Sequence, residues 1–453
     1  MLNYHICRSP VLKLPIFIIP SILSLRDIFG LTSLAIFIGI TAGLGAVLLE
    51  QVFYSLYEIL FVHKLWGILN FVSHYQLIII PAVGGLIVGV VVFFLAHETK
   101  GRTVPDILTG LVVDGEDLPP RALLIKSIAA AICAGIGGSV GLGGPTAQLA
   151  AAMSIVVGKW FKLNKDKLHL LIMCGISAGI AAAFNAPLMG TFFVLEVILG
   201  GFKANDFIIK VILSHFKTTY FILIFVAALI ADRVSQYFRE GLLFIPEHYL
   251  MNYWELLLYV LLGIVTAIGT ISFNHLMVSM KKFWDNLPTS EHIKPVIGLS
   301  LLGIIGFFSF NMYGFPHFFG LGNLTIMDAF NGSLALIIIF VLIFLKMLAT
   351  SITIGSGCSG GTITPSFFIG AMLGGTFGLL VNSIFPATAP SGTYAMVGMA
   401  AFFGGVFNAP FTAIMVGIEV IGNNEIIWPI ILTVLISHTM TRIIKSPKLP
   451  GLL

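Results

Sequence analysis

In this 453-residue sequence the groups best placed to do chemistry are main-chain amides. Two loops too rich in glycine for ordinary helix, Gly141-Leu-Gly-Gly-Pro145 and Gly360-Gly-Thr-Ile-Thr-Pro365, each close on a proline. A proline fits the first helical position, where its missing N–H costs nothing, and Thr146 to Met153 after Pro145 are mostly good helix formers. A helix that begins inside apolar sequence points its unpaired N–H groups and the positive end of its dipole into a cavity. That forms an anion site without any cationic side chain. A second pair of proline-opened helices follows at Phe184-Asn-Ala-Pro187 and Phe407-Asn-Ala-Pro410, with Glu196 and Glu419 at matching places downstream. A carboxylate inside apolar sequence is a functional candidate by default. Because this one is present in both copies, the favoured reading is structural, each glutamate bonding backbone N–H groups in the packed halves and not serving one asymmetric pathway.

The elements that must hold these loops are hydrophobic throughout. Apolar residues make up 58% of the chain and charged residues 10%, and the mean hydropathy is +1.03. This balance excludes a water-soluble domain and predicts an all-α, polytopic membrane protein with broken and tilted helices, since open strands cannot sit in lipid. Apolar stretches lie near 31–61, 76–96, 122–138, 168–184, 187–200, 207–231, 254–279, 293–311, 333–350, 366–383, 395–421 and 426–441. Several are shorter than the roughly 20 residues a bilayer core requires. Irregular backbone at membrane depth must line a cavity or be buried, so 48 glycines point to a transport path. Basic residues gather in short loops, among them Lys100 and Arg102, Lys159 to Lys167, and Arg442 to Lys448, which predicts cytoplasmic termini. No basic run interleaved with aromatics suggests nucleic-acid binding, and the 38 phenylalanines are read as lipid-facing and core mass. Four dispersed cysteines imply neither a disulfide framework nor a metal site. Lys346, inside an apolar run, is expected to snorkel or to bond helix-end carbonyls.

Aligning Asn185 with Asn408 superimposes Gly175, Ala178, Phe184, Ala186, Pro187, Glu196, Val197 and Ile198 on Gly398, Ala401, Phe407, Ala409, Pro410, Glu419, Val420 and Ile421. The chain is therefore two copies of one plan. Internal repeats with broken helices at matching places put a binding site at the repeat interface.

These motifs resemble those of the CLC family of chloride channels and proton/chloride exchangers. The most specific piece is Cys174-Gly-Ile-Ser-Ala-Gly-Ile-Ala-Ala-Ala-Phe-Asn-Ala-Pro-Leu188 with Glu196, supported by Ser356-Gly-Cys-Ser-Gly-Gly-Thr-Ile-Thr-Pro365 and Gly392-Thr-Tyr-Ala-Met-Val-Gly-Met-Ala400. The resemblance implies one transmembrane domain over 1–453, in two inverted halves at about 30–200 and 250–441, with no soluble regulatory domain. It further implies a lipid-embedded homodimer in a bacterial inner membrane, with one path per subunit, chloride or a similar small anion as cargo, and no cofactor.

The family's anion loops read Gly-Ser-Gly-Ile-Pro, Gly-Lys/Arg-Glu-Gly-Pro and Gly-x-Phe-x-Pro, completed by a tyrosine near the end of the membrane domain. Carried onto this chain, the anion ligands are the amides of Leu142, Gly143, Gly144, Gly361, Thr362 and Ile363, with Arg102 and Thr103 as pathway residues. Pro145, Asn185, Pro187, Pro365, Asn408 and Pro410, with both glutamates, are structural. Several positions depart from the pattern. Arg102 replaces the coordinating serine, Gly143 the gating glutamate, and Leu449 the tyrosine; Val197 falls where exchangers carry their inner proton-transfer glutamate. A guanidinium about 4 Å from a bound anion would hold it by about 4 kcal/mol at an effective dielectric of 20, enough to trap it. Arg102 is therefore expected solvated beside the path, steering anions. Losing both carboxylates removes the titratable relay that coupling needs, so passive conduction is predicted. An exchanger using other acidic residues is the alternative. A third reading, an intramembrane serine protease, rests on Gly357-Cys-Ser359-Gly360, whose serine would need a histidine partner.

Overall fold

The computed structural model describes residues 25–63, 75–99, 102, 104–199, 218–239, 252–314, 316–444 and 447; Thr103 and Leu449 lie outside them. The first half comprises α1 (Leu25–Tyr57), α2 (Gln76–Leu95), α3 (Val104–Thr109), α4 (Pro120–Gly135), α5 (Gly143–Trp160), α6 (Lys165–Phe184), α7 (Pro187–Phe193) and α8 (Thr218–Phe238). The second comprises α9 (Leu256–Asn286), α10 (Lys294–Tyr313), α11 (Asn323–Phe330), α12 (Leu336–Gly355), α13 (Ile363–Ile384), α14 (Ser391–Phe407), α15 (Pro410–Met415) and α16 (Ile427–Ile443). Eight helices among the described residues are long and apolar enough to cross a membrane, and the protein is an all-α polytopic membrane protein of two inverted repeats.

The repeats coincide in backbone detail. Gly137 and Gly357 take φ 98° and 96° at matching points of the glycine loops, a left-handed conformation that a side chain would strain. Asn185 and Asn408 both sit at φ 54°, ending α6 and α14. The apolar stretch 395–421, continuous in hydropathy, is thereby two helices, because asparagine tolerates the left-handed turn that breaks it. Pro187 and Pro410 occupy the first helical position, as the sequence suggests. Pro145 and Pro365 do not. The helices α5 and α13 begin two residues earlier, at Gly143 and Ile363, so each proline stands third, where the first turn's N–H groups still lack intrahelical partners.

Close helix contact explains much of the glycine. An added Cβ at Gly175 or Gly179 of α6 would lie 2.6 or 2.5 Å from main-chain oxygens of α5. Gly370 of α13 and Gly398 of α14 meet each other's carbonyls at 2.6 Å in the same way. Without a hydrophobic drive between helices in lipid, this small-residue contact supplies the packing.

Two devices close the broken ends, and the first is reciprocal between the halves. Glu196, 2% exposed, accepts from the N–H groups of Phe411 (3.1 Å) and Thr412 (2.7 Å) and from the Thr412 hydroxyl (2.7 Å), so a carboxylate of the first half caps α15. Glu419 accepts from Leu188 N (2.9 Å) and Met189 N (2.8 Å), capping α7 from the second half. The other device uses lysines. Lys346 is fully buried in α12 and donates to Phe318 O and Gly320 O, both at 2.9 Å, with the Phe368 ring centroid 4.9 Å away. Its carbonyls belong to the loop before α11, and the ammonium does not snorkel to the surface. Lys126 of α4 does the same before α3, donating to Thr99 O (3.0 Å) and Arg102 O (2.5 Å).

Truncating Glu196→Ala would strand the buried N–H of Thr412 and the part-buried N–H of Phe411, which now make charge-assisted bonds worth about 1.5–3 kcal/mol each. A loss of about 3 kcal/mol is expected, read as a lower melting temperature in detergent, with Glu196→Gln losing about half as much. Unchanged melting in the alanine variant would refute the capping role.

Candidate anion-binding site

Three cavities border the glycine loops. The first, about 110 Å³, is basic at its wall, with Arg102, Lys126, Lys281 and Lys294 alongside Asp285 and Glu291, and the turn Ser356–Gly360 forms its floor. The second, about 20 Å³, is bordered by Val104, Pro105, Gly144, Gly361, Thr362 and Ile363. The third, about 390 Å³, is bordered by Leu142, Gly143, Thr146, Thr364, Glu50 and Arg239, among others. Val104 borders the first two, and the consecutive pairs Gly143/Gly144 and Ile363/Thr364 border the last two. The cavities therefore follow one another.

The loops meet through their backbones. Gly141 and Gly361 form an antiparallel bridge, Gly141 N donating to Gly361 O at 2.8 Å and Gly361 N to Gly141 O at 2.9 Å. Bridging at this point turns the starts of α5 and α13 toward each other. An added Cβ on Gly144 would lie 3.1 Å from Val104 Cγ1 and 3.5 Å from Gly361 Cα, so all three loops converge there. Two helix N-termini facing one small cavity supply unpaired N–H groups and two positive dipole ends, which suits a small anion stripped of water.

The six residues named as ligands do not form one shell. Gly144, Gly361, Thr362 and Ile363 border the 20 Å³ cavity, whereas Leu142 and Gly143 border the 390 Å³ vestibule. Val197 is 8% exposed and packed in the main core. Arg102 lies at the wall of the basic cavity, partly exposed and paired: its Nη1 donates to Glu116 Oε2 at 2.5 Å and its Nη2 to Asp106 O at 3.0 Å. Ser359 Oγ donates to Lys126 O at 2.8 Å, so its proton rests on a carbonyl and not on a histidine base.

Several residues at the cavities escaped sequence reasoning. Lys126 could have been found, because aligning Pro145 with Pro365 also aligns Lys126 with Lys346. The Arg239 contacts, by contrast, had no sequence signal. Its guanidinium bonds Glu50 Oε2 and Asn185 Oδ1, each at 2.7 Å, which joins α1, the end of α6 and the end of α8 at the vestibule wall. Phe184 was read only as part of a repeated motif. Its ring stands over Gly143: an ideal Cβ there would overlap Phe184 Cε2, with Cζ 2.6 Å away.

The Arg102–Glu116 pair is partly exposed, at 28% and 37% of the side chains, so its field is screened by salt over about 10 Å. Glu116→Gln should release the guanidinium and raise anion uptake by about twofold at low ionic strength. Arg102→Ser should lower it, and both effects should fade in high salt. Equal effects at both salt levels would mean that Arg102 acts by contact or by folding.

The "Voltage gated chloride channel" family model matches residues 84–442. The chain is 27% identical over 415 residues to the H(+)/Cl(-) exchange transporter ClcA of Vibrio cholerae, covering 89% of this chain and 85% of that protein. Among solved structures, a slow cyanobacterial Cl⁻/H⁺ antiporter superposes with a TM-score of 0.79 at 22% identity, covering 92% of this chain and 96% of that one. A CLC-type fluoride/proton antiporter superposes with a TM-score of 0.75 at 22% identity, covering 95% and 99%. Family members are transporters and channels, which removes the protease reading. With converging loops, crossed glutamate caps and a family match over most of its length, the chain belongs to the voltage-gated chloride channel, or CLC, family.

Proposed function

We propose that this protein conducts chloride or a similar small anion passively, as a homodimer with one path per subunit. Each subunit is a single transmembrane domain in a bacterial inner membrane, with both termini cytoplasmic. The observation that carries this reading is the chemistry at two positions. Gly143, beside the vestibule, has no side chain to bind a proton, and Val197 is a buried aliphatic residue. Coupled exchange needs a carboxylate that competes with the anion and a second that relays the proton. Glycine and valine do neither, while the amides of Gly144, Thr362 and Ile363 retain their capacity to hold an anion by dipole and hydrogen bond, the Gly361 N–H being spent on Gly141 O. The basic 110 Å³ cavity gathers anions, and the 20 Å³ cavity holds one at a time.

A second reading has its own support, since ClcA of Vibrio cholerae is named an exchanger and two carboxylates border the 390 Å³ vestibule. Glu419 spends both oxygens on Leu188 and Met189. Glu50 is held by Arg239. An exchanger would have to free one of them in each cycle.

Chloride and proton flux recorded together in proteoliposomes under a steep chloride gradient separate the readings. Chloride is expected to run down its gradient with no uphill proton movement, and Glu50→Gln should leave any proton signal unchanged. Uphill proton transport that Glu50→Gln abolishes would establish exchange instead.

A further inference from the structure

We infer that the Phe184 ring is the constriction of the anion path, a hydrophobic gate occupying the space that a side chain at residue 143 would take. This rests on the conduction reading above and extends it by naming what closes the path. The ring's Cε2–Cζ edge lies where a Cβ on Gly143 would point, so glycine at 143 and the ring over it are one arrangement: the ring needs the missing side chain. Phe184 ends α6, one residue before the left-handed Asn185, and the Asn185 side chain is clamped by Arg239 at 2.7 Å. The backbone that carries the ring is thereby fixed.

Phe184 also begins an aromatic wall. Its ring meets Phe367 edge to face with centroids 5.3 Å apart, Phe367 meets Phe403 at 5.4 Å, Phe403 meets Phe407 at 4.8 Å, and Phe407 meets Phe193 at 5.8 Å. The first two rings border the 390 Å³ vestibule and the last two the 20 Å³ cavity. An anion passing between these cavities skirts this wall, and it sheds water to do so, since 20 Å³ holds about one water-sized body. A ring at such a step gates by excluding water from the gap, and it opens by a change of rotamer rather than by protonation. It also filters by size.

The test is anion uptake into proteoliposomes, with chloride and the larger thiocyanate as probes and with each variant checked for monodisperse elution and wild-type melting. Phe184→Ala should raise chloride uptake on the order of tenfold, the factor that follows from lowering a barrier by about 1.4 kcal/mol, and should raise thiocyanate uptake more. Gly143→Ala should change uptake in the wild-type background, where its methyl collides with the ring, and should change little when combined with Phe184→Ala, a non-additivity expected of residues in contact. Chloride uptake that is normal in wild type and unaltered by Phe184→Ala would overturn the gate and leave conduction standing, as would equal effects of Gly143→Ala in both backgrounds. Absence of chloride uptake in wild type and all variants would overturn both.

Discussion

Every helix that stops inside an apolar interior leaves N–H or C=O groups that water cannot reach, and the architecture depends on satisfying them. The solution is exchanged between halves. The carboxylate of Glu196 caps α15 and that of Glu419 caps α7, each taking two N–H groups of the opposite repeat. Neither half would have this satisfaction alone, since an unpaired polar group in a low-dielectric interior costs several kcal/mol. The lysines act within a half. Lys126 and Lys346 each tie down two carbonyls of a loop that precedes a short helix.

This pairing is also what opens a path. Because the broken ends are held by side chains from elsewhere, the N-termini of α5 and α13 are left facing a cavity with their own amides uncommitted to such caps, joined only by the Gly141–Gly361 bridge. The glycines that let α5 approach α6 and α13 approach α14 set those ends at a fixed separation. An anion site at these ends would rest on geometry and dipoles and needs no charged side chain.

The departures from the family pattern are consistent with one another. Glycine at residue 143 leaves room for the Phe184 ring, and valine at 197 packs into the core as an aliphatic residue should. Arginine at 102 does not stand alone at the mouth of the path, because Glu116 neutralises it and Lys126 holds its carbonyl.

Composition and repeats determined the membrane environment, the all-helical class and the two-copy plan, since lipid leaves a chain no other way to satisfy its backbone. The paired prolines, asparagines and glutamates marked the break points, because these residue types are selected by local backbone geometry. Only the tertiary structure decided where the side chains at those points go. That Glu196 caps the other repeat, that Arg102 meets Glu116, that Arg239 bridges Glu50 to Asn185 and that Phe184 covers Gly143 are contacts between residues distant in the chain. No periodicity or motif encodes such a meeting. It follows from how the helices cross, and the crossing is set by which small residues let two backbones touch.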